Sequence, residues 1–153
     1  MAQIRLAIVW LVLSVVVVAQ EGSAARPEAV VDTPEFMTFF MKPAYVELQH
    51  AVEQPPADRA AWSALYVKAV RLAETANLLF IRHHADADTP AWAERSAAAR
   101  QAAADVATAA MLGLRSARVD DFTLVKSTAA HVAGACNACH RQFGGTNAPT
   151  IRD

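Results

Sequence analysis

Val119 to Phe143 reads VDDFTLVKSTAAHVAGACNACHRQF. Phe122, Val125, Ala129, Val132, Cys136, Cys139 and Phe143 recur at steps of three and four residues, which lays one apolar stripe along an α-helix. Gly144 and Gly145 follow and supply the stop. A helix with a single apolar stripe needs partners to cover it, and three more helical patterns lie upstream. Thr89 and Pro90, read as N-cap and first helical residue, open an alanine-rich stretch that runs to about Leu114. Between about Ala57 and Arg82, the residues Trp62, Leu65, Ala69, Leu72, Ala76 and Leu79 keep the same stepping. The first pattern begins at Thr33 as N-cap candidate, with Pro34 at the first helical position. Met37, Phe40 or Met41, Ala44, Leu48 and Ala51 make its stripe, and Gln54, Pro55 and Pro56 end it. Pro43 lies inside this pattern and should kink it, because proline cannot donate to the carbonyl of Phe39. No segment alternates with period two. Four helices of about 20 residues joined by short connections predict an all-α, antiparallel four-helix bundle.

The chain has 153 residues, which suits one domain. Arg5 gives a short positive start, and Leu6 to Ala19 is an apolar run interrupted only by Ser14. That run is shorter than the ~20 residues of a membrane span and suits a signal-peptide core, an uncleaved anchor being the competing reading. Residues 1–19 are therefore expected to be a signal peptide, with a second cut available after Ala25. Residues 20–32 form a linker and 33–153 the helical domain. No cysteine lies near either cut, so a lipid anchor is not indicated, and nothing else would hold the mature chain in a membrane. The 14 basic and 15 acidic side chains nearly balance, and loss of Arg5 with the leader changes this little. There is no basic run, which removes the electrostatic case for nucleic-acid binding.

Only two cysteines occur, and in an exported chain a lone pair would ordinarily form a disulfide. The residue after the second one changes that reading. Cys136, Asn137, Ala138, Cys139 and His140 make a C-x-x-C-H motif, the attachment signature of c-type haem. Two thiols must add to the two vinyl groups on one porphyrin edge, and residues three apart on a helix share a face. His140, four residues after Cys136, is then carried under the iron as an axial imidazole. A thioredoxin-like redox pair would need a βαβ setting, which is absent. A zinc site would need more ligands than this pair and His140 supply. One covalent haem c is the expected cofactor, and export agrees with it, since haem is attached outside the cytoplasm.

A leader, a four-helix bundle and a C-x-x-C-H in the last helix together resemble the class II c-type cytochromes, meaning cytochrome c′ and its low-spin relatives. The resemblance covers about Thr33 to Phe143. It rests on Met37 to Leu48, on Pro90 to Arg95 (PAWAER) and, most specifically, on Cys136 to Phe143. It implies that the far side of the iron meets the first helix. In low-spin members a Met there is the sixth ligand, whereas in cytochrome c′ an apolar side chain leaves that position open. Met37 is the preferred counterpart from its spacing back from Gln54 to Asp58, and Met41 is its rival. One departure stands out: many members carry a basic residue four positions after the haem His, where this chain has Gly144.

The expected function is periplasmic one-electron transfer through a His/Met-ligated iron, with redox proteins as partners and no substrate turnover. The alternative is a five-coordinate binder or sensor of nitric oxide or carbon monoxide. Association of two bundles is left open. The remaining candidates carry less. His83 and His84 beside Asp86 and Asp88 read as a solvated loop before they read as a metal site. His131 points away from the site face, His50 reads as exposed, and Trp62 and Trp92 read as core and pocket walls. Tyr45 is expected in the pocket with its hydroxyl toward solvent or a propionate.

Overall fold

A computed structural model describes residues 27–82, 89–116 and 119–152, and the regular structure among them is entirely helical. Helix α1 comprises Thr33–Phe36, a π-helical turn Met37–Met41 and Lys42–Ala51. Helix α2 is Arg59–Asn77, closed by a 3₁₀ turn Leu78–Ile81; α3 is Thr89–Ser116 and α4 is Val119–Phe143. Among the described residues no helix is long and apolar enough to cross a membrane. The expected leader and the loop carrying His83 and His84 lie outside the described residues, as does most of the linker.

The caps differ in part from expectation: Thr33 and Thr89, both read as N-caps, are each the first residue inside their helix. Asp32, not Thr33, caps α1, its carboxylate accepting the amide of Glu35 at 2.8 Å, so Thr33 is already helical. Asp58 caps α2 in the same way, accepting from Ala61 at 2.7 Å. Asp accepts such a bond at least as well as Thr, and each cap satisfies an amide that the helix itself leaves unpaired.

The kink expected at Pro43 takes the form of the π turn. Lys42 donates to Met37, five residues back, so the helix widens by one residue just before the proline ring arrives. The inward positions consequently run Phe36, Met41, Ala44 and Leu48, with a step of five where an α-helix would have four. The stripe read through Met37 is thus corrected: Phe36 is 1% exposed and fills the core, Met37 is half-buried against it, and Phe40 is exposed.

The core is made by Leu48, Leu65, Leu72 and Leu79 with Val106, Val125 and Val132, against the small side chains of α3. Each fully buried leucine contributes about 1.5–3 kcal/mol from burial, while Ala103, Ala107 and Ala110 let the helices approach closely. Tryptophans fasten the two ends. Trp62, near the start of α2, packs edge-on against Phe122, near the start of α4, and lies across Gly113 near the end of α3. Trp92, near the start of α3, donates its Nε1 hydrogen to the Leu79 carbonyl at 2.9 Å and packs against Phe143 at the end of α4.

Candidate functional site

The last two turns of α4 carry both cysteines and His140 beside the Trp92 end of the core. Cys139 is buried and Cys136 half-buried, and neither is in a disulfide. Burial pushes the Cys136 thiol up to about 11, the neighbouring Cys139 adding to the effect. Burial also raises Cys139, opposed by the positive charge of Arg95. Both sulfurs are therefore held as neutral thiols, which are weak nucleophiles and oxidise slowly. Arg95 itself is fixed across the α3–α4 seam, its Nε donating to the Gln142 side chain at 2.8 Å.

His140 is half-exposed, and its Nδ1 lies 2.8 Å from the Pro149 carbonyl. A carbonyl can only accept, so in the neutral ring Nδ1 carries the proton and Nε2 keeps its lone pair. Cys136 and Phe143 pack against the apolar core, and the rings of Trp92 and Phe143 are centred 5.2 Å apart. On α1, Met41 is 8% exposed and packed in the core, while Met37 is half-buried at the start of the same π turn. Single π turns inside α-helices recur at functional sites.

Two features of the structure are not legible in the sequence. Arg82 is 7% exposed, stacks its guanidinium 3.7 Å above the Phe36 ring and donates to the Leu78 carbonyl. Its position at the end of an apolar helical run, where a cation meets the negative helix terminus, is the signal that would have marked it. The second is residues 144–152, which turn back along α4. Asn137 donates to the Ile151 carbonyl at 2.8 Å and accepts the Ile151 amide at 2.7 Å. Tyr45 and Gln49 of α1 both donate to the Arg152 carbonyl, at 2.8 and 3.2 Å. The expectation for Tyr45 is corrected accordingly, since its hydroxyl is taken by backbone. A groove of about 360 Å³ continues along the α1–α4 seam from there, between Tyr45 and Leu48 on one side and Lys126 and Val132 on the other.

The other two described histidines lie on the surface. His131 is exposed, and His50 is exposed beside Glu53 at 3.0 Å. Among the described residues no three His, Cys, Asp or Glu side chains converge to chelate a metal directly. No protein-family model matches the chain, and neither does a curated protein or a solved structure.

Proposed function

We propose that this chain is an exported c-type cytochrome, with one haem held by thioethers to Cys136 and Cys139 and by His140, and that it carries single electrons. The observation that carries the reading is the C-x-x-C-H motif on a single helical turn, with Cys136 packed against the apolar core, Cys139 buried and the His140 Nδ1 already engaged by a carbonyl. The donor set fits a porphyrin gripped along one edge: two thiols three residues apart, then an imidazole with a free Nε2 one residue on. Bound haem would supply an iron that accepts and returns one electron.

The chain's own residues supply the rest. Cys136 and Cys139 would hold the porphyrin edge, His140 would offer Nε2 to the iron, and the packed rings of Trp92 and Phe143 supply apolar surface at that end of the core. Met37 would be the distal ligand, with Met41 as the rival; a thioether there favours the ferrous state and raises the potential. An antiparallel bundle is supported by the tryptophan contacts, since each joins the start of one helix to the end of the next. The leader-like residues 1–19 support export to the compartment where such linkages are made. The partners would be redox proteins.

A second reading, a five-coordinate binder of carbon monoxide or nitric oxide, is favoured by one observation. Phe36 occupies the inward position at the start of α1 that the stripe had given to Met37.

The test is production of the full chain in a cell able to attach haem, followed by absorption spectra of the oxidised and reduced protein. The expected result is a pigment that stays with the polypeptide in acidified organic solvent and a low-spin oxidised spectrum. A colourless protein refutes the reading. A coloured high-spin protein that binds carbon monoxide rapidly moves it to the second one.

A further inference from the structure

Beyond the haem-binding turn, residues 144–152 are built as a strap. Gly145 has φ 64°, a left-handed conformation that glycine adopts freely, and it reverses the chain after α4. Gly144 donates to the His140 carbonyl at 2.8 Å, and a Cβ on it would come within 2.7 Å of that oxygen and collide with the Ala148 side chain. Position 144 is therefore glycine for the strap's sake, which accounts for the missing basic residue there. Asn137 then clasps Ile151 by two hydrogen bonds, and Tyr45 and Gln49 tie the next carbonyl to α1. Between the reversal and the clasp, the Pro149 carbonyl reaches His140 Nδ1. Proline has no amide hydrogen, so its carbonyl is the only backbone polar group at that position, and it is spent on the imidazole.

We infer that residues 144–152 are a positioning strap for His140, in which the Asn137–Ile151 clasp holds the Pro149 carbonyl on Nδ1 so that Nε2 alone faces the iron. The inference rests on the reading of His140 as the axial ligand. A hydrogen bond from the second ring nitrogen fixes tautomer and ring orientation and raises the basicity of the ligating nitrogen. A more basic imidazole stabilises ferric over ferrous iron, so a closed strap lowers the reduction potential. Asn137 sits between the two cysteines and acts through the strap; it is a positioning residue and ligates nothing.

The test compares the full-length protein with Asn137→Ala, which removes both clasp bonds, and Asn137→Asp, which keeps only the acceptor. Amide hydrogen exchange at Ile151 should accelerate roughly tenfold in Asn137→Ala, as expected for loss of one to two modest hydrogen bonds. The reduction potential of the haem protein should rise in Asn137→Ala; Asn137→Asp, whose added negative charge lowers the potential by itself, is compared by amide exchange alone. Faster exchange with an unchanged potential overturns the inference, because the strap would then be open without consequence for His140. Unchanged exchange overturns it as well. A parent protein that attaches no haem refutes the proposed function and not the strap. In that case the ring ¹⁵N shifts of His140 decide: a single Nδ1–H tautomer in the parent that becomes mixed in Asn137→Ala supports the strap, and identical shifts refute it.

Discussion

Gly113→Ala gives a test of the packing on which the site's frame depends, because two effects of opposite sign compete there. In an ordinary helix interior, replacing glycine by alanine stabilises by about 1 kcal/mol. Here the added Cβ would stand closer than 3.0 Å to three atoms of the Trp62 ring, Cζ3, Cη2 and Cε3. Carbon atoms rest about 3.5–4.0 Å apart, so the indole or the helix must retreat by roughly 1 Å or more. Trp62 has little room to do so, being 4% exposed with Phe122 packed edge-on beside it. Overpacking of this kind costs about 1–3 kcal/mol, and a rigid two-ring neighbour places the cost at the upper end. The net expectation is a loss of about 2 kcal/mol, which corresponds to a fall in Tm of roughly 6–10 °C for a domain of this size. Urea titration followed by far-UV circular dichroism measures it. Combining Gly113→Ala with Trp62→Leu should cost at least about 1 kcal/mol less than the sum of the single changes, since the smaller side chain leaves space for the new methyl. A stabilised Gly113→Ala variant, or strict additivity in the pair, would refute the claim that glycine is there to admit the indole.

Two further expectations concern the site. In the haem-loaded protein, Met37→Ala should convert a low-spin spectrum to a high-spin one at little cost in stability, because Met37 is half-buried. Met41→Ala should leave the spectrum low-spin yet destabilise by about 2–5 kcal/mol, as core truncations do; the reverse pair of spectra reassigns the ligand. In the protein without haem, Cys136 should resist alkylation at neutral pH by about a hundredfold relative to an ordinary thiol, its pKa having moved from 9.0 to about 11. Because burial favours the neutral thiol, the rate should climb with pH until about 11, and a plateau near pH 9, followed by mass spectrometry, would contradict the burial of that sulfur.

Much of the fold was legible because helices announce themselves locally. The stepping of Trp62, Leu65, Ala69 and Leu72 names the buried face of α2 from a dozen residues, and all four are buried in the structure. The bounds read for α4, Val119 to Phe143, are those observed. The first helix was harder. Pro43 signals that the hydrogen-bond ladder must break, but not whether the helix bends or takes in an extra residue as a π turn. Arg82 stacked on Phe36 shows what that choice settled: the extra residue turns Phe36 inward and leaves Met37 at the rim.

Which side chains this chain can offer together is legible locally, since two thiols and an imidazole within five consecutive residues need only a helical turn to share one side. How that imidazole is held depends on packing between distant segments. The bond from Tyr45 to the Arg152 carbonyl joins residues 107 positions apart, and the Pro149 carbonyl reaches His140 only after the chain has reversed at Gly145. Periodicity is written in residues a few positions apart, whereas a hydrogen bond between distant segments exists only once packing has brought both to the same place.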